Sequence, residues 1–215
     1  MKAGGPASTS TRGNATRRQG DAKMPRTRLG GHRWSLRHYE RVLANGLRVL
    51  VVPTKASHRA VLTMLLRVGS RYESAEDNGI SHFLEHMLYR GSPSFKTAHD
   101  QALAFEEIGA SLYAATQADY GSMSLSLPPE SLPRATAIFA EVVAKPRFSA
   151  IEIERGIVRE EILEDLDEEG RQIDADNLVR ELVYGTHPLG FTITGSLEHL
   201  AKFDRAMLRK HHARH

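Results

Sequence analysis

The 215-residue sequence has no cysteine, a single tryptophan and few aromatic residues of any kind. Without thiols there are no disulfides, no thiolate nucleophile and no cysteine-bound metal. Any metal site must therefore be assembled from histidine and carboxylate side chains. No stretch approaches the roughly 20 consecutive apolar residues that span a bilayer, and the N-terminus lacks the apolar core of a secretory signal. A membrane is not an expected partner. A strong charge imbalance is missing too, since 29 Lys and Arg face 26 Asp and Glu. Much of the small excess lies near the start, in Lys2, Arg12, Arg17, Arg18, Lys23, Arg26, Arg28 and Arg33 against the single acid Asp21. A solvated tail accounts for this better than a phosphate-binding stripe, so nucleic acid is not expected either.

What is present is the composition of a globular protein, 40% hydrophobic and 26% charged. Residues 1–35, rich in Gly, Ser, Thr and Arg, are expected to form a disordered basic tail. This gives a cytoplasmic expectation. The same composition also suits a weak organelle-targeting segment, which leaves the mitochondrial matrix as the alternative location; a start at Met24 is a further option. Residues 36–215 form the expected domain. Tyr39 to Leu43 and Leu47 to Val52 read as strands joined at Asn45-Gly46, and Val61 to Val68 as a third. Helices are expected from Ile80 to Tyr89 and from Thr97 to Ile108. Strands follow at Ser111 to Thr116 and Tyr120 to Leu127, then helices near 130–144, 150–168, 171–184 and 197–212. Hairpins followed by helices argue for an α+β fold, a largely antiparallel sheet packed against helices.

One segment carries chemistry. His82 and His86 are four residues apart, so on a helix they sit about 40° apart around the axis, one turn above each other. Two imidazoles so placed can share a Zn²⁺ at about 2.0–2.1 Å. Glu85 falls on the same face, where a carboxylate can take a proton from a metal-activated water. The pentapeptide alone is also compatible with an amphipathic helix whose two histidines happen to face one way.

The helix near 150–168 supplies the remaining acids. Ile151, Val158 and Ile162 make an apolar arc with Ile157 at its edge, and Glu154 and Glu161, seven apart, fall about 20° from each other within it. Carboxylates on a core-facing stripe are costly unless paired or metal-bound. Glu161 is thereby favoured over Glu160 as the third ligand, with Glu154 orienting a histidine or Glu161 itself. A salt bridge from Glu154 to Arg155 or to a neighbouring helix is the competing reading.

With these residues the sequence resembles the pitrilysin/insulinase family of zinc peptidases, which also contains the mitochondrial processing peptidases. The inverted motif His82-x-x-Glu85-His86 reverses the commoner His-Glu-x-x-His. Leu43-Ala-Asn-Gly-Leu-Arg-Val-Leu-Val-Val52, Gly69-Ser-Arg-Tyr-Glu73, Gly79-Ile-Ser-His-Phe-Leu-Glu-His-Met-Leu88 and Glu154-Arg-Gly-Ile-Val-Arg-Glu-Glu-Ile162 are family-like phrases. The resemblance implies the N-terminal domain of such a peptidase, with one Zn²⁺ per chain held by His82, His86 and Glu161. It implies Glu85 as the general base and Glu154 as a supporting catalytic acid. It also implies an extended peptide as substrate, laid as an added strand on the sheet edge near Tyr113 to Gly121. Two departures stand out there: Tyr113-Ala-Ala-Thr116 replaces the family's Asn-Ala-x-Thr, and Gly121 and Met123 replace an aromatic followed by polar residues.

Family subunits usually carry two such domains in tandem, so a second peptidase domain or a partner subunit is implied, and residues 36–215 are expected to stop before a last strand. The expected function is that of a zinc-dependent endopeptidase domain. The alternative is a catalytically incomplete fragment or interaction subunit that keeps the zinc site. His211, His212 and His215 read as a solvated helix end, His99 and His199 as surface positions, and His187 is assigned no role.

Overall fold

A computed structural model of the chain describes residues 37–215. The expected tail over 1–35 lies outside the described residues. The chain divides into two compact units, 1–54 and 55–215.

In the first unit, β1 (Tyr39–Val42) and β2 (Arg48–Val51) pair antiparallel. The Asn45-Gly46 signal produces a turn wider than two residues. Gly46 N–H donates to Leu43 O at 2.9 Å, Leu43 N–H to Leu47 O at 2.8 Å, and Gly46 takes φ +85°. Glycine enters that left-handed region without a Cβ clash, as such bulged hairpin loops require.

The second unit begins with β3 (Ala60–Leu66) and continues through α1 (Ile80–Met87) and α2 (Ala98–Glu106) to β4 (Ser111–Thr116) and β5 (Gly121–Leu127). It ends in α3 (Leu132–Ala144), α4 (Ile151–Glu164), α5 (Ala175–Tyr184), α6 (Leu197–Lys202) and α7 (Arg205–Arg214). The strands form an antiparallel sheet in the order β3-β5-β4. Strand alternation sends Met123, Leu125 and Leu127 inward against Phe105 of α2 and Ile138, Phe139 and Val142 of α3. The other face carries Ser122, Ser124 and Ser126 of β5 between the exposed Val61 and Leu65 of β3 and Tyr113 of β4. β4 is an edge of this sheet among the described residues.

A second core cluster builds the site. Ile80, Phe83, Leu84 and Met87 of α1 pack with Val158 and Ile162 of α4, with Phe203, and with Leu208 of α7. Phe83 stacks on Phe203 with ring centroids 5.9 Å apart. This packing fixes α4 beside α1. The expected single helix over 197–212 is instead two. Phe203 is extended, and Asp204 caps a new helix by accepting from Met207 N–H at 2.8 Å. The break lets Phe203 turn into the core.

The C-terminal histidines correct their expected solvated state, because α7 is packed rather than free. His211 is buried and meets Ser81 Oγ at 3.0 Å, His212 Nε2 bonds Val143 O at 2.7 Å, and His215 Nδ1 bonds Arg67 O at 2.9 Å.

Candidate metal centre

Helix α1 starts at a close backbone crossing. Gly79 has φ +96°, and a Cβ on it would lie 2.6 Å from Thr194 O. The first turn of α1 holds no acidic residue of its own. The buried Glu73 supplies the negative charge instead, accepting from Gly79 N–H and Ser81 N–H at 2.8 Å each and from Asn78 Nδ2 at 2.9 Å. A carboxylate there satisfies free N–H groups and opposes the positive end of the helix dipole. The phrase Gly69-Ser-Arg-Tyr-Glu73 therefore serves to seat the helix that carries the histidines.

One turn into α1, the rings of His82 and His86 lie edge to face, 4.7 Å apart. Glu161 Oε2, from α4, is 3.5 Å from His82 Nε2 and 3.4 Å from His86 Nε2. One ligand atom from each of the three residues lies within 4.8 Å of the others. The 3.4–3.5 Å separations exceed those of a charge-assisted hydrogen bond, about 2.7–2.9 Å. They match the edge of a tetrahedron with bonds of about 2.0–2.1 Å, roughly 3.3–3.4 Å. Burial, reinforced by His86, pushes the His82 pKa down to about 4 and keeps its imidazole neutral, the form that binds a metal. On geometry and chemistry, the donor set fits a zinc ion.

Behind this triad sits Glu154, whose side chain is only 4% exposed. Its Oε2 meets His86 Nδ1 at 2.9 Å, and its Oε1 takes the guanidinium of Arg90. Glu154 thus meets a histidine and also makes the competing salt bridge, to Arg90 just past α1 rather than to Arg155. Arg155 pairs instead with Glu152 at 3.0 Å. The stripe that holds Glu154 and Glu161 is not uniformly buried: Glu161 is 38% exposed and Ile157 lies open to solvent.

Glu85 projects from the same turn as the histidines into a cleft of about 410 Å³ whose lining includes His82, Thr116, Asp165, Asp174 and Arg180. Burial raises its pKa, and a hydrogen bond from Thr116 Oγ1 at 2.5 Å pulls the other way. A carboxylate tuned upward is better matched to proton transfer near neutrality. Thr116 ends the edge strand β4, so that edge runs up to Glu85.

The structure thus gathers all five residues singled out in the sequence, His82, Glu85, His86, Glu154 and Glu161. Sequence reasoning missed Arg90, and it placed Thr116 on the edge strand without pairing it to Glu85. Arg90 carried no clear signal, because it lies past the end of α1 and its partner Glu154 is distant in sequence. Thr116 carried no signal of its bond to Glu85, because that partner is distant in sequence.

The family model described as "Insulinase (Peptidase family M16)" matches residues 48–195. An uncharacterized zinc protease of Mycobacterium tuberculosis is 33% identical over 194 residues, covering 89% of this chain and 43% of that protein. The "Probable mitochondrial-processing peptidase subunit beta" of Schizosaccharomyces pombe is 31% identical over 166 residues, covering 76% of this chain and 35% of its own length. The chain spans less than half the length of these relatives. Among solved structures, a peptidase M16 inactive domain from Pseudomonas fluorescens superposes with a TM-score of 0.75 at 24% identity, covering 83% of this chain and 43% of that one. The sheet, the helix pair and the inverted His-x-x-Glu-His turn fall within one family match, and the chain belongs to the insulinase family of peptidases, M16.

Proposed function

We propose that this chain is a zinc endopeptidase domain, with one Zn²⁺ held by His82, His86 and Glu161, acting on extended peptides. The observation that carries this reading is the convergence of three ligand atoms at zinc-like spacing with the Glu85 carboxylate on the same helical turn. A zinc ion held there would supply a Lewis acid that polarises a carbonyl and lowers the pKa of water, so that hydroxide is available as the nucleophile. The chain's own residues do the rest. Glu85 accepts the proton of the attacking water and returns it to the leaving amine, while Thr116 fixes the carboxylate through Oγ1. Glu154 holds His86 in the tautomer with Nδ1–H, leaving Nε2 for the metal. The edge of β4 offers backbone groups to an incoming strand, and Thr116 brings that strand to Glu85.

The second reading, favoured by the share of its relatives that the chain spans, is a domain that keeps zinc but needs a further domain or partner subunit to cut. Zinc content and cleavage of a quenched fluorogenic peptide separate the two. Cleavage by the chain alone, lost on chelation and restored by zinc, supports the first. Stoichiometric zinc with cleavage only after a partner subunit is added supports the second. A purified, folded chain that binds no zinc would remove both.

A further inference from the structure

Arg90 lies three residues past the end of α1 and reaches into the buried space between α1 and α4. Its Nε and Nη2 both approach Glu154 Oε1, leaving Oε2 for His86 Nδ1 at 2.9 Å. The carboxylate thus has a cation on one oxygen and the histidine on the other. The backbone at this point is tied down as well. Arg90 O accepts from Ser149 Oγ at 2.8 Å, and Arg147 N–H donates to Gly91 O at 3.2 Å. Both partners lie just before α4, the helix that carries Glu154 and Glu161. A carboxylate as buried as Glu154 is costly to keep charged unless it is paired. A guanidinium is the side chain that pairs it while presenting more than one N–H to fix its orientation.

The two histidines differ in what holds them. His82 Nδ1 is buried without a hydrogen-bond partner, so packing alone sets that ring. His86 has a partner, and the partner's orientation depends on Arg90.

We infer that Arg90 is a positioning residue of the metal centre, fixing Glu154 so that Oε2 meets His86 Nδ1 and the His86 Nε2 faces the metal. This rests on the metal-site reading above. It acts through Glu154, and through His86 alone of the two histidines.

The test uses the full chain and its Arg90→Met, Arg90→Lys, Glu154→Gln and Arg90→Met/Glu154→Gln variants. Zinc affinity is read by competition with a chromophoric chelator, and the His86 tautomer by long-range ¹H–¹⁵N NMR of the metal-free protein. Loss of a group supporting a metal ligand typically weakens binding about 10–100-fold, and that loss is expected for Arg90→Met. Arg90→Lys, which keeps the charge, should recover most of it. The double variant should bind zinc no more weakly than Glu154→Gln alone, because Arg90 has no other route to the metal. The Nδ1–H signal of His86 should weaken in Arg90→Met while His82 stays unchanged. Wild-type affinity in Arg90→Met, or losses that multiply in the double variant, would overturn the inference. If Arg90→Met does not fold, Arg90→Gln replaces it with the same criteria. A wild-type chain that binds no zinc refutes the metal reading, whereas an Arg90-independent His86 tautomer refutes this one.

Discussion

Replacing Glu85 by glutamine separates the chemistry from the holding of the metal. The substitution is nearly isosteric, and its amide oxygen can still accept from Thr116 Oγ1, which meets the carboxylate at 2.5 Å. Glu85 is not among the three residues whose ligand atoms converge, so zinc content should stay at one per chain. Proton transfer by a placed carboxylate contributes about 10²–10⁴-fold in rate, equivalent to roughly 3–5 kcal/mol of barrier. Cleavage by Glu85→Gln should fall by that factor, with little change in KM. Stability should move the other way. Burial raises the Glu85 pKa in the folded chain, so the native state binds that proton more tightly than the unfolded one. Its contribution is full below the ordinary carboxylate pKa and is lost as pH rises through the folded value. A neutral amide avoids that loss, and the metal-free variant should melt at or above the temperature of the metal-free wild type at pH 7. The assays are metal analysis, fluorogenic peptide kinetics and thermal unfolding on one preparation. Activity within tenfold of wild type, or loss of zinc, would refute the role given to Glu85.

Three further outcomes are expected. His82→Ala and Glu161→Ala should each lose both zinc and cleavage; stoichiometric zinc in the His82→Ala protein would sink the ligand assignment. Phe83→Ala should destabilise the fold by about 3–5 kcal/mol, because this ring is fully buried and stacked on Phe203; urea unfolding gives the value, and a loss below 1 kcal/mol would argue against the packing described. The His211 pKa is pushed down to about 4, chiefly by burial, so its contribution to stability is complete above pH 6.5 and is lost as pH falls from there through about 4, by at most about 3 kcal/mol. His211→Gln should flatten that acid limb in denaturation curves, and the difference between the two proteins isolates His211 from His82, which burial also depresses.

Most of the fold was legible because its signals are local. The run of strands, α1 before the Gly91-Ser-Pro stop, and α2 behind Thr97 follow from patterning and turn chemistry. Thr97 indeed forms a capping box with Asp100. What escaped the sequence depends on contacts between distant segments. Helical periodicity runs through 197–212 and conceals the break at Phe203–Asp204, because the gain from burying Phe203 against Phe83 cannot be seen locally. His211 read as a solvated helix end because nothing in α7 announces that Ser81 lies opposite. The bond from Thr116 to Glu85 was invisible for the same reason. The shared faces of His82, Glu85 and His86 on α1 and of Glu154 and Glu161 on α4 were readable, because helical spacing fixes directions within each helix. The meeting of the two helices, by contrast, is a tertiary contact.

The two glutamates of α4 show how that spacing divides roles. Seven residues bring a side chain back to nearly the same direction but about 10.5 Å further along the helix. Glu154 sits where the stripe passes beneath α1 and is almost fully covered. Glu161, two turns on, lies at the more open end of the stripe with its side chain 38% exposed. A residue that orients a ligand works best where water cannot compete for its hydrogen bonds, and the buried end meets that need. A ligand beside an open coordination position must reach a space that substrate can enter, and the exposed end meets that one. Direction alone selects the pair from the sequence, and only depth distinguishes its members. Glu154→Gln should therefore weaken zinc binding by about 10–100-fold, whereas Glu161→Ala should abolish it. Equal losses measured in the same chelator competition would show that the two carboxylates share one role.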